Sequence, residues 1–131
     1  MKSRITLLEI AKEKGWNYIS EFEQLSEEFI EEFQDHLWWD AISCQQKLSE
    51  SFMIKFQDKI NWRWISSYQK LSEEFIIKYQ DRLDMPHISW CQELSESIIE
   101  KLIDKLHWRG IIECQTVSNN FIYKMQTKLQ G

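Results

Sequence analysis

Three glycines and one proline in 131 residues leave little material for the tight turns of a sheet, so helices joined by short corners are expected. With Gly at 15, 110 and 131 only, the chain has no glycine-rich phosphate loop. No stretch approaches the roughly 18 apolar residues of a membrane span, and the N-terminal segment lacks a signal-peptide core, so no membrane partner is expected. Three cysteines without a close-spaced pair supply neither a disulfide framework nor a zinc motif. They point to a reduced, intracellular, cytoplasmic protein. Basic residues are outnumbered, 16 Lys and Arg against 21 Asp and Glu, for a net charge of −5. That balance speaks against a nucleic-acid groove. What the chain does have is hydrophobic content of 43% and seven tryptophans, enough for a folded domain with aromatic packing or an aromatic binding surface.

The strongest positive signal is a period of 23 residues. Leu25-Ser26-Glu27-Glu28-Phe29-Ile30 returns as Leu48-Ser49-Glu50-Ser51-Phe52-Met53, as Leu71-Ser72-Glu73-Glu74-Phe75-Ile76 and as Leu94-Ser95-Glu96-Ser97-Ile98-Ile99. A weaker copy follows at Val117-Ser118-Asn119-Asn120-Phe121-Ile122. A fixed period of this length implies stacked units, each burying its apolar face against its neighbours. The chain reads as one repeat domain over 1–131, with repeats at about 2–24, 25–47, 48–70, 71–93 and 94–116 and a terminal helix at 117–131.

Each unit encodes two helices. In 48–70, Ser49 is an N-cap, and Leu48 with Met53 has the spacing of a hydrophobic staple. Phe52, Met53, Phe56 and Ile60 then mark one face of a helix of about ten residues. Asn61, replaced by Asp84 one repeat later, caps a second helix whose face is Trp62, Ile65 and Gln69. The tryptophan recurs at 16, 39, 62 and 108, with Met85 substituting once, and the isoleucine at 19, 42, 65, 88 and 111. Pro86 falls in the first turn of a second helix, where its missing amide is harmless. A continuous coiled coil is excluded because 23 residues do not fit whole heptads and caps recur inside each unit. The fold class is therefore all-α, an α-solenoid of short antiparallel helix pairs, with Thr6, Lys14 and the polar last unit shielding its ends.

Two polar ladders accompany the period: Asp35, Asp58, Asp81 and Asp104, and Gln46, Gln69, Gln92 and Gln115. Recurrence at every rung favours a structural role, with Asp binding helix-start amides or a tryptophan N–H and Gln bonding across the stack. The pairs Glu27-Glu28, Glu31-Glu32 and Glu73-Glu74 read as solvated faces. No nucleophile, base and orienting group occur together, so an enzyme is not expected. His87, Cys91 and Cys114 share a helix face across two repeats, yet a fourth metal ligand is missing and free cysteines often fill cores. No metal or cofactor is assigned.

The pattern carried by Ile42-Ser43, Gln46, Leu48-Ser49-Glu50, Phe52, Phe56, Asp58 and Trp62 resembles a short helical repeat of proteins from phages, large DNA viruses and some bacteria. The resemblance covers nearly the whole chain and carries over no catalytic residue. It implies a viral or mobile-element accessory factor more than a metabolic enzyme.

Binding residues are sought where the repeat diverges. Two positions four apart on the second helices vary: Tyr18, Ala41, Trp64, His87 and Gly110 at one, Phe22, Gln45, Tyr68, Cys91 and Cys114 at the other. Trp90 lies beside this row, and Arg63 and Arg109 could form its polar rim. In a solenoid, framework positions repeat and contact positions diverge, so Tyr18, Phe22, Arg63, Trp64, Tyr68, His87, Trp90 and Arg109 form the candidate partner-binding surface. The same residues could instead complete the core on a concave side. The expected function is binding of a protein partner, a host protein in the light of the resemblance, whose inhibition would serve against host defence. Two alternatives stand beside it. One is a nucleotide-sequestering protein stacking a base on Trp64, Tyr68 and Trp90; the other is a self-assembling structural element.

Overall fold

The structure, a computed structural model, describes residues 1–130. Among these residues there are eleven α-helices and no strand, the all-α, solenoid-like repeat that the period implies. The chain divides into two compact units, Met1–Gln69 and Lys70–Gly131. In the first unit, helices opening on the Leu-Ser motif or its N-terminal counterpart are α1 (Arg4–Lys14), α3 (Glu27–Glu32) and α5 (Glu50–Lys55). They alternate with second-type helices α2 (Trp16–Phe22), α4 (Trp39–Gln45) and α6 (Trp62–Tyr68). The second unit has α7 (Glu73–Lys78), α9 (Glu96–Lys101) and α11 (Asn119–Gln130) of the first type, and α8 (Met85–Cys91) and α10 (Trp108–Cys114) of the second. Second-type helices stack on one another, α2 on α4 and α4 on α6 in one unit, α8 on α10 in the other.

The serine caps form as the sequence implies. The hydroxyls of Ser26, Ser49, Ser72 and Ser95 accept from the amides of Phe29, Phe52, Phe75 and Ile98. The helices they open are shorter than the apolar spacing suggests: α5 has 6 residues, not about ten. Phe56 leaves helical geometry at φ −107°, ψ 30°. The amides of Lys59 and Ile60 then both return to its carbonyl, at 2.9 and 3.1 Å. A turn thus replaces the last helical residues, yet Phe56 and Ile60 stay buried. Glutamine supports this ending: Gln57 Nε2 donates to the Ile54 carbonyl at 3.0 Å, and Gln34 Nε2 to Glu31 at 2.9 Å. Periodicity alone could not separate helix from turn, because both keep the same face inward.

Within each unit the core has two sets of buried side chains, one from each helix type. Ile19, Ile42 and Ile65 in one unit and Ile88 and Ile111 in the other are wholly buried, as are Ile30, Met53, Ile76 and Ile99. Each such side chain contributes about 1.5–3 kcal/mol by leaving water, which helices of six or seven residues need, since they do not hold in isolation.

Polar ladders bind successive repeats within each unit. Buried Gln46 donates to the carbonyls of Ser20 (3.0 Å) and Glu23 (2.7 Å) and accepts from the Leu25 amide (2.9 Å). Gln69 repeats this on Ser43, Gln46 and Leu48, and Gln115 on Ser89, Gln92 and Leu94. The glutamine therefore closes the carbonyl end of the preceding second-type helix, whose orphan acceptors need partners. A second ladder was not read from the sequence. Ser20, Ser43 and Ser89 are buried, and their hydroxyls accept from the backbone amides of Trp38, Asn61 and His107 at 2.8–3.0 Å.

The aspartate ladder is structural in a different way from that expected. Asp35 meets Lys59 and Asp81 meets Lys105, each at 3.0 Å. These carboxylates lie on the surface, with Asp58 and Asp104 also exposed. The tryptophan N–H groups go elsewhere: Trp39 and Trp62 donate to the carbonyls of Gln34 and Gln57, each at 2.9 Å. The glutamates are also more than a solvated face. Glu27 accepts from both the amide and hydroxyl of Ser49 (2.6 and 3.0 Å), and Glu73 does the same for Ser95 (2.8 and 3.0 Å).

Candidate functional site

The divergent positions lie on second-type helices held by these ladders, so they are fixed in place while their side chains vary. Within the first unit, α2 pairs Tyr18 with Phe22 at a ring separation of 5.0 Å, and Lys14 lies 4.8 Å from the Tyr18 ring. On α6, Trp64 and Tyr68 are 5.7 Å apart, and the Arg63 guanidinium stands 5.9 Å from the Trp64 ring centroid. Phe22 and Tyr68 are 65% and 61% exposed, which is far from the burial of residues completing a core. Tyr18 and Trp64 are half-buried.

Between these aromatic pairs, α4 places Ala41 and Gln45 at the same two positions. The small Ala41 opens a cleft of about 240 Å³ that it shares with Trp38, Trp64, Cys44 and Gln45, and Glu21 and Asp40 complete its lining with two carboxylates. Burial pushes the Cys44 thiol up from its ordinary pKa, partly offset by its hydrogen bonds, and repulsion from Glu21 and Asp40 adds to the rise. Asp40 Oδ1 accepts from Asn61 Nδ2 at 2.9 Å.

Trp38 was not a sequence candidate because it occupies the capping position of α4. The expected caps are present elsewhere: Asn61 accepts from the amides of Arg63 and Trp64, and Asp84 from that of His87. His107 also caps its helix, accepting from Gly110. Trp38 makes no side-chain capping bond, a loss worth about 1 kcal/mol, and it remains 43% exposed. The signal was in the sequence as the Trp38-Trp39 pair, an aromatic where its counterparts are small or polar.

In the second unit the candidates are differently engaged. His87 Nδ1 lies 2.9 Å from Asp84 Oδ1. Trp90, 39% exposed, leans on His107 with ring centroids 5.8 Å apart. Arg109 pairs with Glu113 of its own helix at 2.9 Å. Cys91 and Cys114 are exposed, and among the described residues no group of three His, Cys, Asp or Glu is placed to hold a metal ion. Among the same residues, no helix is long and apolar enough to cross a membrane.

The chain was compared with family models, curated proteins and solved structures, and it matches none of them.

Proposed function

We propose that this chain is a protein-binding repeat scaffold whose contact residues are the divergent aromatics of its second-type helices. One observation carries the reading: the framework repeats and is buried, while Phe22, Tyr68 and Trp90, at or beside the divergent positions, stay 65%, 61% and 39% exposed. Solvent-facing aromatics on rigid backbone are the material of interface anchors, since they bury large area at little entropic cost. Arg63 and Arg109 are both exposed and suit a polar rim. The resemblance of the repeats to those of viral and phage proteins makes a host protein the partner in this reading, and inhibition of a host defence protein the consequence. Nucleotide sequestration is less well supported, because the cleft beside Trp64 carries the carboxylates of Glu21 and Asp40, which repel phosphate.

The test is capture from host lysate with the intact chain and with its Tyr68→Ala variant, compared at equal folded fraction. A stoichiometric protein recovered by the first and lost with the second supports the proposal. A small molecule released on denaturation, with no protein recovered, contradicts it.

A further inference from the structure

Asn61, Asp84 and His107 each cap a second-type helix through the side chain, whereas Trp38 spends the same position on an exposed indole. A local rule broken in this way, without a compensating bond, is expected at functional sites. Trp38 and Trp64 line one cleft from α4 and α6, and that cleft also contains the carboxylates of Glu21 and Asp40. Neither carboxylate has an ion-pair partner among the described residues. The site thus combines aromatic faces with two carboxylates that are not held in ion pairs, on a chain whose net charge is −5. A cation is the complementary ligand. Among protein side chains, arginine fits best, because its planar guanidinium stacks on an indole while its N–H donors reach carboxylates in the same plane.

We propose that the cleft between Trp38 and Trp64 receives an arginine side chain of the protein partner, its guanidinium against the indoles and its donors on Glu21 and Asp40. This rests on the protein-binding reading above and adds the chemistry of one anchor. Asp40 is available for it, since its bond from Asn61 uses Oδ1. Arg63 already stands 5.9 Å from the Trp64 centroid, near the outer limit of about 6 Å for a cation–π contact. The incoming guanidinium therefore competes with a weakly held internal one.

The experiment is an NMR titration of the ¹⁵N-labelled full chain with N-acetyl-arginine methylamide, following the indole N–H signals of its seven tryptophans. The indoles of Trp38 and Trp64 should shift together and saturate, while the framework indoles of Trp16, Trp39, Trp62 and Trp108 stay in place. The neutral citrulline analogue should bind about tenfold more weakly, and the lysine amide more weakly than arginine. Glu21→Gln should weaken the arginine amide about threefold without moving the melting temperature. Trp38→Asn, which restores the residue type that caps α6, should keep the fold and abolish the Trp64 response.

Equal binding of citrulline or lysine, a shift shared by all the indoles, or saturation unchanged by Trp38→Asn would each overturn the assignment, as would no saturable response. If the amide fails while Tyr68→Ala still abolishes partner capture, the cleft assignment falls alone. If the amide binds and capture ignores Tyr68, the cleft assignment stands and the placing of the partner contact on Tyr68 falls. If the amide binds and no protein is captured at all, the protein-binding reading falls and takes the partner's arginine with it.

Discussion

The indole of Trp90 occupies the space that a side chain at position 110 would take. A Cβ added to Gly110 would stand 3.1 Å from both Cε2 and Nε1 of Trp90, and 3.1 Å from the Cβ of Ser89. The row position that holds Tyr18 and Trp64 in other repeats is thus emptied at 110, and an aromatic from the neighbouring helix covers it. Gly110→Ala is a direct test. Alanine gains about 1 kcal/mol of helix propensity, but Ser89 Cβ sits close to backbone and cannot retreat. The expected outcome is a net loss of about 1 kcal/mol in a urea melt, with a red shift of tryptophan emission as Trp90 is displaced. A more stable protein with unchanged emission would contradict this.

The two polar ladders differ in weight because one is buried and the other is not. Gln46→Ala strands the carbonyls of Ser20 and Glu23 and the amide of Leu25. Each stranded buried group costs about 1–3 kcal/mol, so a loss of about 3 kcal/mol or more is expected. Asp35→Asn touches a carboxylate whose side chain is 85% exposed and should cost less than about 0.5 kcal/mol. Chemical denaturation of the two variants, side by side, checks the contrast.

Trp38→Asn should supply α4 with the cap that Asn61 gives α6. The amides of Asp40 and Ala41, which correspond to those of Arg63 and Trp64 bonded by Asn61, gain an acceptor. Their hydrogen exchange should slow several-fold, consistent with about 1 kcal/mol for a good cap. Unchanged or faster exchange at these two sites would show that position 38 has no capping geometry.

Burial and the neighbouring carboxylates raise the Cys44 pKa. A raised pKa leaves less thiolate at any given pH, and thiolate is the reacting species. Iodoacetamide at pH 8, read by peptide mass spectrometry, should therefore label Cys44 more slowly than the exposed Cys91 and Cys114. Raising the pH should speed Cys44 labelling through a higher midpoint than that of an unhindered thiol.

Much of the architecture was legible from residues that repeat. Ser49, Asn61 and Asp84 announced helix starts because capping has one geometry and few suitable side chains. Gln46 and Gln69 announced bonds across the stack because an amide at every rung can satisfy both a carbonyl and an N–H. The end of α5 was hidden, since Phe56 and Ile60 stay buried whether the chain there is helix or turn. The aspartate partners were misread because Asp35 and Lys59 are 24 residues apart, one more than the period, so the pair joins neighbouring repeats and leaves no local signature. The cleft was hidden for another reason. It is made where the row holds a small residue, Ala41, in place of an aromatic, and by Trp38 at a position assigned to capping, outside the row.

The most direct test of the divergent row as a recognition surface is the affinity of the captured partner for Tyr68→Ala. Tyr68 is 61% exposed, so its truncation should leave the fold nearly unchanged, whereas the half-buried Trp64 needs a melting curve beside each titration. If the row makes the contact, Tyr68→Ala and Trp64→Ala should each lose about 2 kcal/mol, roughly a thirtyfold rise in Kd. Glu31→Ala and Lys78→Ala, on first-type helices, should bind as the parent does. Normal binding by Tyr68→Ala and Trp64→Ala, with binding lost on changing Glu31 or Lys78, would place the recognition surface on the other set of helices.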